Sequence, residues 1–94
     1  MKTKAKVVLA FSSTSMVAVE TASGEITVFE LLGSETVRRG HVLVGHWSEL
    51  DNQVVYNESR DQNLDVFILD CGCKIDAVKE QYFTSRPEAL SLTN

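Results

Sequence analysis

Over residues 5–56 the chain alternates apolar and polar side chains in short pieces, each cut by Gly, Ser, Asn or a charged turn. A two-residue period gives a strand one face for a core and one for water. Several such strands in succession fold into a small sandwich or barrel, which makes this pattern the tightest constraint on the fold. The first strand is expected over 5–11, with Ala5, Val7, Leu9 and Phe11 sharing a face. The second runs over 16–21 and the third over 26–32, joined by a hairpin turn through Ala22-Ser23-Gly24-Glu25. A fourth follows over 41–44, with Gly45 as a bulge or barrel corner.

After a connection over 47–52, a fifth strand is expected over 53–56 and a polar loop over 57–63. The sixth, over 64–69, places Leu64, Val66 and Ile68 on one face and Phe67 and Leu69 on the other, as in a strand covered on both sides. From Lys74 the period changes: Ile75, Val78 and Tyr82 fall at helical spacing, and a helix is expected over 75–83. The expectation is mainly β: a five- to six-stranded antiparallel barrel over residues 1–83. One C-terminal α-helix would plug an open end, and residues 84–94, with the single proline Pro87, would form a flexible tail.

Ninety-four residues, 44% of them hydrophobic, suit one domain with its own core. Every apolar run is broken well before the roughly 18 residues a membrane span needs. Lys2, Lys4 and Lys6 precede only a short apolar run, Val7-Val8-Leu9-Ala10-Phe11, below the 7–15 residues or so of an export signal. A cytoplasmic location without membrane contact is expected, with Cys71 and Cys73 as free thiols. The formal charge is −4. Residues 1–45 carry five basic and four acidic groups, while residues 46–94 carry four basic and nine acidic. An acidic second half disfavours nucleic acid, whose binding depends on clustered Lys and Arg.

Val28-Phe29-Glu30-Leu31-Leu32-Gly33 and then Val37-Arg38-Arg39-Gly40-His41-Val42-Leu43-Val44-Gly45 resemble a stretch of the oligonucleotide-binding (OB) fold and its cold-shock and S1-type relatives. The resemblance lies in the spacing of glycines and apolar residues over the middle third of the chain. It implies an OB-like barrel and a single-stranded nucleic-acid ligand. The second and third strands, however, offer only Phe29 as a ring for base stacking, and Glu20, Glu25 and Glu30 occupy the hairpin where a basic strip is expected. Fold does not carry function by itself.

Cys71-Gly72-Cys73 has two thiols one residue apart, closer than the usual Cys-x2–4-Cys of a zinc site. His41 and His46 would have to complete a metal set from opposite faces of a strand. The plainer reading packs Cys71 as a small apolar residue and uses Gly72 as the strand-to-helix turn. Glu58, Asp61, Asp65 and Asp70 lack the order of a calcium loop. No nucleophile elbow or phosphate loop is present, so neither catalysis nor a cofactor or metal is expected.

Trp47, Phe29, Tyr56 and Phe67 offer either an aromatic surface or, with Trp47 as lid, a barrel core. The expectation is a non-catalytic interaction module binding a protein partner, or itself as a homo-oligomer, through an edge strand or the Trp47 region. Phe29, Arg38, Arg39, His41 and Trp47 are the candidate surface. The alternative is single-stranded nucleic-acid binding, which needs Lys2, Lys4, Lys6, Arg38 and Arg39 to converge on Phe29 or Trp47.

Overall fold

The computed structural model describes residues 2–11 and 13–83; the tail expected over 84–94 lies outside the described residues. Six strands, β1 (Thr3–Phe11), β2 (Met16–Thr21), β3 (Ile26–Leu31), β4 (Val42–Gly45), β5 (Asn52–Asn57) and β6 (Gln62–Cys73), precede one helix, α1 (Ile75–Tyr82). In space the strands run β1-β2-β3-β6-β5-β4, and β4 pairs back onto β1 to close a barrel in which every pairing is antiparallel. The mainly β barrel with a C-terminal helix is therefore the fold. Closure pairs both sides of each of these strands, so the expected docking through an edge strand has no edge to use.

The interior is filled by the inward parity of each strand, including Val7, Val19, Phe29, Leu43, Val55 and Leu64. Strand β1 departs from its expected single face. Its pairing with β2 slips between Val7 and Leu9, leaving Val8 as an extra residue. A bulge of this kind reverses the parity beyond it. Ala5, Val7 and Ala10 face inward, while Leu9 and Phe11 join a second cluster with Ala18, Ile26 and Val28.

That second cluster lies on the outer wall, and α1 covers it through Val78 and Phe83. The helix therefore packs against the side of the barrel, where it was expected to plug an end. The ends are closed by other residues. Trp47 seals one, its Nε1 donating to the Thr3 carbonyl at 2.8 Å while its own carbonyl accepts from Thr27 Oγ1 at 2.7 Å. Val37, on the 32–41 crossover between β3 and β4, packs on the core at the other. Helix α1 has no side-chain cap and only eight residues, too few to persist on propensity, so burial of Val78 and Phe83 holds it. Each such side chain contributes about 1.5–3 kcal/mol.

Strand β6 runs longer than expected, through the cysteines. Its register against β3 shifts on both sides of Val28, and Gly72 has φ +67°. Gly72 thus sits in a bulge within the strand end, and Lys74 (φ −100°, ψ 146°) makes the passage into α1.

Candidate interaction surface

The five residues singled out from sequence do not form one surface. Phe29 is wholly buried and Trp47 is 5% exposed; their rings stack inside the barrel with centroids 6.2 Å apart at 22°. Gly45 makes room for this pair. A Cβ there would lie 2.6 Å from Val55 Cγ1 and 3.3 Å from the Trp47 ring. Arg38 and Arg39 are exposed and His41 is half-buried, in a turn that docks on β1. The Gly40 amide donates to the Val7 carbonyl and the Val7 amide to that of His41, both at 2.8 Å. The cations and the two rings are therefore kept apart by the barrel wall.

What the turn does assemble is a polar junction around Asn57, which ends β5 instead of opening a loop. Its amide is fully buried. Oδ1 accepts from the Ser59 and Arg60 amides at 3.0 and 3.2 Å, and Nδ2 lies 3.1 Å from His41 Nδ1. His41 Nδ1 also accepts from the Arg38 amide at 3.2 Å. Two donors on one ring nitrogen fix the neutral tautomer with its proton on Nε2. Burial, then the charges of Arg60 and Arg38, lower the His41 pKa from its ordinary value. Lys6 stands opposite Val42, the residue after His41, whose ring feels the charges of Arg60 and Arg38.

The outer wall across β4, β5 and β6 carries apolar side chains that no element covers among the described residues. Val54 is 51% exposed, Phe67 38% and Tyr56 37%, with Leu32 beside them at 50%. Backbone register brings them together. Tyr56 faces Val44 across β4–β5, Val54 faces Asp65 across β5–β6, and the Leu32 amide donates to the Asp65 carbonyl at 2.9 Å. The Tyr56 hydroxyl donates to Asp61 Oδ1 at 2.6 Å, and that bond raises its pKa. Lys4 and Lys6 border this wall on the β1 side, and Glu30 and Asp65 on the β3–β6 side. Sequence reasoning named Tyr56 and Phe67 among candidate rings but placed the surface at Phe29 and Trp47. The usable signal was parity, since Phe67 alternates with the inward Val66 and Ile68.

The other chemistry-bearing groups stay separate. His41 and His46 flank the two ends of β4, and among the described residues no three His, Cys, Asp or Glu side chains come together as a metal set. Gln53 clasps the His46 backbone, accepting from its amide at 2.9 Å and donating to its carbonyl at 2.8 Å. Cys71 and Cys73 are free and half-buried. Burial, with Asp70 beside it, pushes the Cys73 thiol up to about 11, away from nucleophilic use. Asp70 is engaged by the Cys71 amide and the Tyr82 hydroxyl. A cavity of about 240 Å³ under the β3–β4 crossover is lined by Phe11, Leu31, Val37 and hydroxyls of Ser15, Ser34 and Thr36. Glu35 borders it, but its Oε1 is sealed from solvent without a partner, tucked where a Cβ on Gly33 would sit.

No protein-family model, curated protein or solved structure matches this chain. Among the described residues no helix is long and apolar enough to cross a membrane.

Proposed function

We propose that the chain is a non-catalytic binding module that docks a protein partner on the bare outer wall of β4, β5 and β6. One observation carries this reading: Val54, Tyr56, Phe67 and Leu32 are all exposed on the outer side of neighbouring strands, around Asp65, on a barrel whose other apolar wall is covered by α1. Single exposed apolar residues are ordinary, whereas a cluster rimmed by charges is the signature of an interaction site. The rings on this wall are the residue types that dominate interface energetics. We keep the OB-like reading of the barrel as part of the proposal, with the ligand moved from the interior rings to the outer wall.

The test is a photo-crosslinking residue at position 67, with position 76 on the exposed side of α1 as control, in lysate of the native host. Protein adducts are expected from position 67 only, and Val54→Asp in the same chain should abolish them. Adducts of equal yield from both positions, or none from position 67 in a folded chain, overturn the reading.

A second reading, single-stranded nucleic-acid binding, is favoured by Arg38 and Arg60 about His41, with Lys6 opposite the neighbouring Val42. Against it, the exposed rings stand among Glu30, Glu58, Asp61 and Asp65, and Lys4 is already paired with Glu58 at 3.2 Å. Fluorescence anisotropy with labelled single strands at low salt separates the two. Steep salt-dependent binding lost in Arg38→Ala supports nucleic acid, and a flat signal removes it.

A further inference from the structure

We propose that the Asn57 junction carries a separate binding site for a dianionic phosphate group, built from His41, Ser59, Arg38 and Arg60. It uses none of the apolar residues of the docking wall. Hydrogen bonds draw these four residues together from two turns. Arg38 gives its amide to His41 Nδ1 at 3.2 Å, and Asn57 Nδ2 lies 3.1 Å from that same ring nitrogen. Arg60 gives its amide to Asn57 Oδ1 at 3.2 Å. Ser59 Oγ accepts from the amide of Val42, the residue after His41, at 2.9 Å. Both turns are fixed in place. The His41 amide closes the first onto the Arg38 carbonyl at 3.1 Å, with Gly40 at φ +95°. The Glu58 amide ties the second to the Val42 carbonyl at 2.9 Å.

This bonding leaves donors free. With Nδ1 accepting twice, His41 carries its proton on Nε2, which is neither buried nor bonded among the described residues. Ser59 spends a lone pair on Val42 and keeps its hydroxyl proton. Arg38 and Arg60 are exposed, and the charges that act on His41 are theirs, both positive. Neither meets a carboxylate within ion-pair distance among the described residues. The two acids of the second turn are engaged elsewhere: Glu58 with Lys4 at 3.2 Å, and Asp61 with the Tyr56 hydroxyl at 2.6 Å.

An N–H, an O–H and two guanidinium forks without acceptors of their own suit an anion rich in oxygens. Charge sets its class. Two arginines balance a phosphate monoester, with its charge of about −1.5 to −2 and three terminal oxygens, better than the single charge of a diester. A polynucleotide would also need further cations along the second turn, where Glu58 and Asp61 stand instead. Both arginine side chains must be ordered on binding, so the affinity is expected to be modest, roughly millimolar.

Proton–nitrogen correlation spectra of the full chain test this, during titration with inorganic phosphate and with O-phosphoserine at an ionic strength held constant by sodium chloride. Saturable shifts are expected at residues 38–43 and 57–60, with α1 unmoved. Saturation by either probe supports the site, and the tighter one tells a free phosphate from an esterified one. Arg38→Gln and Arg60→Gln should each weaken binding roughly 10-fold, the loss of one charge-assisted contact. Both substitutions keep the backbone amides that hold the junction, so the fold is retained. Arg39→Gln, at the neighbouring exposed arginine, should change the affinity less than about 2-fold.

Shifts that stay linear with both probes overturn the site, as do saturable shifts that survive in a chain carrying Arg38→Gln with Arg60→Gln. An equal loss in Arg39→Gln would show only a diffuse positive field and overturns it too. A single-stranded oligonucleotide that binds more tightly per phosphate than either probe reassigns the turn to nucleic acid. None of these results bears on the docking wall, which the crosslinking at position 67 tests by itself.

Discussion

Under α1 the barrel's outer wall presents Ala18, Ile26 and Val28, each at most 2% exposed; across β4, β5 and β6 it presents Val54, Tyr56 and Phe67, each more than a third exposed. Closing the barrel satisfies the backbone on both sides alike, so hydrogen bonding does not explain the contrast. The difference lies in how the chain spends its one helix. Strands β2 and β3 are apolar on both parities, as in Val17-Ala18-Val19 and Ile26-Thr27-Val28-Phe29, and need cover on two faces. Strands β5 and β6 dilute their outer parity with Asn52, Asn63 and Asp65, which keeps the wall soluble enough to stand open. A covered wall is part of the fold, whereas an open wall of similar side chains is free to bind.

The largest effect that divides the two walls comes from one substitution made on each. Val28→Asp buries a carboxylate beneath α1 with no partner, and a loss of about 4 kcal/mol or more is expected by urea denaturation. Val54→Asp on the bare wall, set opposite Asp65 on an exposed strand face, should cost only about 1 kcal/mol. Similar costs at the two sites would break the distinction between covered and open wall.

Next in size is the junction that ties the open wall to the crossover. Asn57→Ala removes the buried side chain whose Oδ1 accepts from the Ser59 and Arg60 amides, leaving Arg60 only the residue 57 carbonyl at 3.3 Å, and about 2 kcal/mol is expected to be lost. Hydrogen exchange should quicken at the 38–43 and 58–60 segments and leave α1 unchanged. Acceleration spread evenly over α1 would show that the two walls are not separately held.

Much of this division was legible in the sequence. Alternation gave six strands nearly in place, the 16–31 hairpin within a residue, and the helical period from Ile75. What failed was local. The bulge at Val8 has no residue-type signature in Val7-Val8-Leu9, yet it moves Leu9 and Phe11 from the core to the bed of α1. That bed then draws the helix to the side of the barrel. The site was half legible. Exposure of Arg38 and Arg39 follows from their charge. The insides of a barrel and its surface, however, both use aromatics, and only the parity around Gly45 turns Trp47 inward onto Phe29.

A smaller effect sharpens the covered side. With its thiol held near 11, Cys73 should react with iodoacetamide at pH 8.5 roughly 100-fold more slowly than an ordinary cysteine of pKa about 9. Peptide mass spectrometry after timed quenching reads this rate. Val78→Asp, which undocks α1, should restore ordinary reactivity, because the helix supplies much of the burial. A fast thiol in the unsubstituted chain would mean that the covered wall opens readily.

The smallest effect is on the open side and depends on pH. His41 is held neutral by burial, by Arg60 and Arg38, and by two donors on Nδ1, so its folded pKa lies below the unfolded value of about 6.5. Between those two values the unfolded chain binds more protons than the folded one, and stability must rise with pH. The contribution is complete above about pH 6.5 and is lost as pH falls through the folded value. Protonating Nδ1 also sets it against the Asn57 Nδ2 donor, so the junction loosens before the carboxylates titrate. The melting temperature should therefore decline from pH 7.5 to 5.5, and His41→Gln should flatten that decline. Hydrogen exchange at pH 5.5 should locate the loosening at residues 38–43 while α1 stays protected. A decline of the same slope in His41→Gln, or one that begins at α1, would place the acid-sensitive element on the covered wall instead.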